Sequence, residues 1–191
     1  MSEICVTCGK ATLSEQVVPF EFRHGNKSGV IQDSQTICAT CGTVSYIGEQ
    51  ISRHELAVAD KIRDMDGLLS PEALRRIRLK YALRQTDLEA MLSIGPKSWT
   101  RWERGKIPQS KAADTLIRVL AENPDIARVL MERAGIENPA AIAMFASIDD
   151  DARRIAADRL RADVAQWSNP VDAERAVDVV WGLRGGSTQA A

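Results

Sequence analysis

All four cysteines of this 191-residue chain fall in two pairs, Cys5 with Cys8 and Cys38 with Cys41, each separated by two residues. No other feature constrains the fold so tightly. A two-residue gap lets one tight turn aim both sulfurs at a single ion, and zinc takes four such ligands in a tetrahedron. Gly9 and Gly42 follow the pairs and supply the backbone angles that such turns need. One or two disulfides, or two redox motifs, are the alternatives, but a redox motif does not normally come twice in a chain with no spare cysteine. Cys5, Cys8, Cys38 and Cys41 are therefore expected to hold one Zn2+ per chain. Four sulfurs leave the ion no open position, so its role is structural, organising a sheet too small to stabilise itself by apolar burial.

Between the pairs, residues 12–22 alternate imperfectly, with Val17, Val18, Phe20 and Phe22, and residues 29–37 offer Val30 and Ile31. The turn-rich stretch from His24 to Gly29 predicts a hairpin joining the two knuckles, with a short return strand at Val44, Tyr46 and Ile47. From about residue 49 the apolar spacing becomes helical, and Gly67 marks a stop. Ser70, Pro71 and Glu72 then read as a new helix start: a capping hydroxyl, a preorganised first residue and an acid at the positive dipole end. Four helices are expected over 70–123, at 71–82, 85–92, 96–104 and 110–122, followed by one at 126–133 ended by Gly135. Their contacts are assigned to Leu74, Ile77, Leu88, Leu92, Trp99, Leu116 and Leu120. Beyond that, separate helical runs are expected at 140–147, 152–167 and 171–183, with Asp149, Asp150 and Asp151 opening the second, and a disordered end from Gly185.

The fold class that follows is a small α+β, zinc-ribbon-like amino-terminal domain, then an all-α domain with a helical carboxyl-terminal extension. The expected boundaries are 1–48 for the zinc domain, 49–69 for a helical linker, 70–136 for the all-α domain and 137–191 for the extension. The formal net charge of −1 conceals a basic block. Residues 71–111 hold ten Lys and Arg against four Asp and Glu, while both flanks are acidic. A basic block between acidic ones is the electrostatic footprint of a nucleic-acid site.

Within that block, residues 77–92, the pair Ile94 and Gly95, and the run Trp99, Thr100, Arg101, Trp102, Glu103, Arg104, Gly105 resemble the Xre or Cro-type helix-turn-helix. In such a motif the second helix enters the major groove amino end first, so its early exposed residues reach base edges. Here those are Lys97, Ser98 and Arg101; arginine can hold guanine in a bidentate fork and lysine can reach the same acceptors. Pro96 suits a first helical position but offers no side-chain hydrogen bond. The resemblance implies that Gln85, at the amino end of the preceding helix, binds backbone phosphate, and Thr100, Arg104 and Lys106 are further phosphate candidates. Trp99 and Trp102 are expected to pack rather than to stack on bases.

The order of parts resembles the MqsA antitoxins with their YgiT-type zinc finger: a cysteine pair, a hairpin containing Phe20, Glu21, Phe22 and Arg23, a second pair, a helix, then a Xre-type domain. The match spans about residues 1–135. It implies a zinc domain that neutralises a partner toxin and a homodimer that represses its own operon at a palindrome in double-stranded DNA. Lys97 stands where that family carries an operator-reading asparagine, and Arg101 is retained. Two other functions fit the same parts: a stand-alone regulator without a toxin, and a protein-interaction adaptor that does not bind DNA.

Catalysis finds little support. His24 and His54 are the only histidines; Val58 occupies the place where a zinc-protease helix needs its second histidine, and both histidines are expected to face solvent. The start of the chain lacks the basic and apolar runs of a signal peptide, and no stretch is apolar enough to span a bilayer, so a cytoplasmic protein without membrane partners is expected.

Overall fold

The computed structural model describes residues 4–164. The chain divides into two compact units, Met1–Glu137 and Asn138–Ala191. The expected helix at 171–183 and the tail from Gly185 lie outside the described residues.

The first unit opens on a hairpin. Strand β1 (Leu13–His24) pairs antiparallel with β2 (Lys27–Cys38) from Leu13 opposite Cys38 to His24 opposite Lys27. The turn is two residues long, and Gly25, at φ +60°, supplies the positive φ at its first central position. Strand β3 (Val44–Ser45) adds to the other side of β2, giving the order β1, β2, β3 and leaving β1 as an edge. On β2 the buried face is carried by Gly29, Ile31, Asp33 and Gln35, so Ile31 packs inward while Val30 is exposed. Gly29 is required by space. A Cβ there would meet the Phe22 ring at 2.8 Å and Met65 Sδ at 2.9 Å.

Helix α1 (Gln50–Asp66) lies against β2 and ends where Gly67 takes φ +66°. Gln50 receives a hydrogen bond from Thr36 Oγ1 at 2.9 Å. Its neighbourhood is polar: Asp33 accepts from Gln35 Nε2 at 2.8 Å and from the Tyr46 hydroxyl at 2.6 Å, and it pairs with His54 at 3.0 Å. His54 was expected in solvent, yet its side chain is only 17% exposed and meets the Phe20 ring edge-on at 4.8 Å. The helical turn that follows β3 turns His54 toward the sheet, and a buried carboxylate needs such a partner. His24 likewise pairs with Asp66, at 3.2 Å. Few large apolar side chains are buried in this module, which is the condition under which a metal must hold a sheet together.

Five short helices follow: α2 (Pro71–Lys80), α3 (Gln85–Met91), α4 (Ser98–Glu103), α5 (Lys111–Glu122) and α6 (Pro124–Arg133). Ser70 caps α2 by accepting from the Ala73 amide, and Ser110 caps α5 from Ala113. Leu74, Tyr81, Leu88, Trp99, Ile117 and Leu120 form a fully buried core. On α5 the inward residue is Ile117, not the expected Leu116, which is exposed one position earlier on the helix. The Tyr81 hydroxyl donates to the Leu120 carbonyl at 2.9 Å, tying α2 to the end of α5.

The second unit contains α7 (Pro139–Val164), 26 residues long. It is one helix where two runs were expected at 140–147 and 152–167. Asp149, Asp150 and Asp151 do not start a helix, because no Gly or Pro interrupts the backbone and Asp150 and Asp151 instead pair with Arg153 and Arg154 at i+3. No described helix is long and apolar enough to cross a membrane.

Candidate metal centre and nucleic-acid interface

The two knuckles are built alike. Gly9 N donates to Cys5 O and Gly42 N to Cys38 O, each at 2.8 Å, while Cys5 N reaches Lys10 O and Cys38 N reaches Thr43 O, each at 3.0 Å. Gly9 and Gly42 have φ of +72° and +70°. The hairpin register brings the knuckles together, with Cys5 Sγ and Cys41 Sγ 3.6 Å apart, Cys8 Sγ and Cys38 Sγ also 3.6 Å apart, and all four sulfurs within 4.8 Å of one another. Zinc bonded to four sulfurs at about 2.3 Å separates them by about 3.8 Å, so the cluster fits that ion.

The electrostatics favour thiolates on the inner ligands. The Thr12 hydroxyl, 3.2 Å from Cys38 Sγ, together with the Cys41 and Thr40 amides, lowers the Cys38 pKa to about 6. The Cys8 amide, and after it the Thr7 amide, lowers that of Cys5. Cys8 goes the other way: an amide hydrogen bond from Lys10 pulls it down, but desolvation and the three crowded sulfurs push it up to about 12. Without a cation the four sulfurs cannot all ionise, which is the charge problem that a dication solves. Thr12 and Thr43, 3.2 Å from Cys38 and Cys41, are second-layer donors that the cysteine spacing alone does not reveal.

The basic block folds into α2 to α4 and the loop after α4. Glu103 organises it. Its carboxylate is 6% exposed and accepts from Arg78 Nε at 2.6 Å and Nη2 at 3.1 Å, from Gln85 Nε2 at 2.6 Å and from Trp99 Nε1 at 2.6 Å. Burial pushes its pKa up, but these donors outweigh burial and hold the carboxyl below the usual glutamate value. Thr100 Oγ1 donates to Gln85 Oε1 at 2.8 Å. Gln85 and Thr100 are thus brought together and locked, and these bonds use one of the two amide protons of Gln85. Trp99 and Trp102 are both buried.

The start of α4 differs from the expected one. Pro96 is not in the helix; Lys97 occupies the position before it with φ +64°, and α4 begins at Ser98. Gly95 and Pro96 form a turn that Ser98 N closes onto Gly95 O, and Glu89 Oε1 then accepts from Trp99 N at 3.1 Å. Lys97 remains at the amino end, its carbonyl accepting from Arg101 N. Lys97, Arg101, Arg104 and Lys106 are all exposed, and among the described residues none makes an ion pair, whereas Arg78, Arg84 and Lys111 pair with Glu103, Asp87 and Asp66.

The sequence model of the family described as the antitoxin component of bacterial toxin-antitoxin systems, MqsA, matches residues 3–131. The chain belongs to the MqsA antitoxin family. No curated protein matches it. The matched span of this MqsA-family chain takes in both knuckles, the hairpin and α1 to α5, and ends inside α6. Helix α7 lies beyond it.

Proposed function

We propose that this MqsA-family antitoxin is a cytoplasmic, sequence-specific repressor of its own operon, whose zinc module binds the partner toxin. The observation that carries the DNA-binding half is a group of unused cations around α4. Lys97, Arg101, Arg104 and Lys106 are exposed and make no ion pair among the described residues, while Arg78 and Arg84 are held by buried acids. Lys97, Ser98 and Arg101 then read bases, and Gln85, Thr100, Arg104 and Lys106 meet phosphate. Four cysteine sulfurs within 4.8 Å of one another, a spacing that suits a structural Zn2+, support the zinc module. The outer edge of β1, which pairs with no strand among the described residues and exposes Val17, supports it as the toxin-binding face, since an unpaired strand edge is a template for a partner strand.

A homodimer on a palindrome follows from a single helix-turn-helix reading only a few base pairs. Exposed Leu116 and Val119 on α5, with Ile126 and Val129 on α6, support a dimer contact in that region. Leu120 is buried in the core and takes no part in it.

Arg101→Ala is expected to cost about 1–3 kcal/mol of operator binding and to relax specificity, because it removes a base-edge contact. Gln85→Ala is expected to weaken binding evenly across sequences. Titrations on operator and on random DNA check both; equal losses on the two DNAs for Arg101→Ala would contradict its assignment. Co-expression tests the toxin half. The chain should relieve the growth arrest caused by the product of the adjacent reading frame and co-purify with it, and failure of both would contradict the toxin assignment.

A further inference from the structure

Arg63, near the end of α1, is 3% exposed. A guanidinium keeps its charge at all ordinary pH, so its burial is costly unless its donors are used. Nη1 pairs with Asp60, one helical turn back. Nη2 donates to the Gly105 carbonyl and, at 3.4 Å, lies within reach of the Ile107 carbonyl. Both carbonyls belong to the loop that leaves α4. Gly105 has φ +73°, and a Cβ there would lie 3.6 Å from Arg63 Nη2, from Leu56 Cδ2 and from Pro71 Cγ, so α1 and α2 enclose this glycine.

The anchor itself is fixed. Asp66, at the last residue of α1, pairs with Lys111 at 3.3 Å, Leu69 N donates to Asp114 at 2.8 Å, Gln109 Nε2 donates to Leu69 O at 2.9 Å, and Arg118 Nη2 donates to Gly67 O at 3.0 Å. Residues 63–69 are thereby held to the start of α5. Lys106 sits between the two carbonyls that Arg63 faces, exposed and unpaired among the described residues.

We propose that Arg63 is a positioning residue for DNA recognition: by holding the Gly105 and Ile107 carbonyls it sets where Lys106 meets phosphate, a role that rests on the DNA-binding reading above. The helix that packs on the zinc module's sheet thus also shapes the DNA-reading loop.

The test uses the full-length, zinc-loaded chain titrated with DNA from upstream of its own gene over a range of salt. Each phosphate neutralised adds about 0.9 to the slope of log K against log salt. Arg63→Met is expected to weaken binding about tenfold and to lower that slope by about 0.9, as Lys106→Met does, and the double variant should lose no further slope. A smaller folded fraction would scale affinity alike at every salt and leave the slope untouched. That result, or a double variant with additive slope losses, overturns the proposal. Arg63→Lys, which keeps the charge but has no second nitrogen to hold Asp60 while the first meets the carbonyls, serves if the methionine variant does not fold; a reduced slope supports the proposal and an unchanged slope overturns it. If the unaltered chain does not prefer its upstream DNA, the DNA-binding reading fails and this role with it.

Discussion

Cys38→Ser is expected to release the zinc and to unfold the amino-terminal sheet. Cys38 closes the ladder opposite Leu13 and is the ligand held most strongly toward the thiolate, by Thr12 and two amides. Serine does not ionise and cannot replace it. Structural zinc contributes on the order of 10–16 kcal/mol to small zinc-dependent folds. The apolar side chains buried in this module, chiefly Ile31 and Ala59, with half-buried Phe20 and Phe22, cannot offset such a loss. The helical core around Leu74, Leu88, Trp99 and Ile117 contains no zinc ligand and should remain folded. Hydrogen exchange and metal analysis check this: protection should vanish across 13–38, zinc should fall from one per chain to none, and the helical core should stay protected. A Cys38→Ser chain that keeps its zinc and its hairpin protection would refute the metal centre.

Glu103→Ala is expected to cost about 3–5 kcal/mol, the size found when one member of a buried ion pair is removed. Arg78 would be left charged with no carboxylate, Trp99 Nε1 and Gln85 Nε2 would lose their acceptor, and all three sit in or beside the core. With total stabilities of about 5–15 kcal/mol for ordinary domains, this approaches global unfolding. The same carboxylate fixes a pH dependence. Its folded pKa is depressed, so its contribution is complete above the ordinary glutamate value and is lost as pH falls through the folded one. Urea unfolding should show a native chain that weakens below about pH 4.3 and a Glu103→Ala chain that lacks this component. A variant within about 1 kcal/mol of the native chain would contradict the role given to Glu103.

The parts of this fold that local chemistry dictates were legible in the residues. Cysteine spacing announced the four-sulfur cluster, Gly67 stopped α1, and Ser70 with Pro71 started α2, because each acts within one turn of the chain. What required the fold was long-range pairing between polar groups. Nothing near Glu103 says that Arg78 and Gln85, 25 and 18 residues away, will converge on it. His54 and Asp33 meet only because α1 lies on β2, and Arg63 finds Gly105 only because α1 also reaches the end of α4. The acidic run at 149–151 misled for a related reason. An acid at a helix start and an acid paired at i+3 inside a longer helix look alike in sequence. Lys97 at positive φ was equally hidden, since the turn needs that conformation while the residue does not advertise it.

Footprinting the full-length, zinc-loaded chain on the DNA upstream of its own gene tests the central assignment most directly. The account predicts two protected half-sites with centres about 34 Å apart on one side of the duplex, bound far more tightly than shuffled DNA of the same composition. Equal affinity for the upstream and the shuffled DNA, with no protected half-sites, would contradict it.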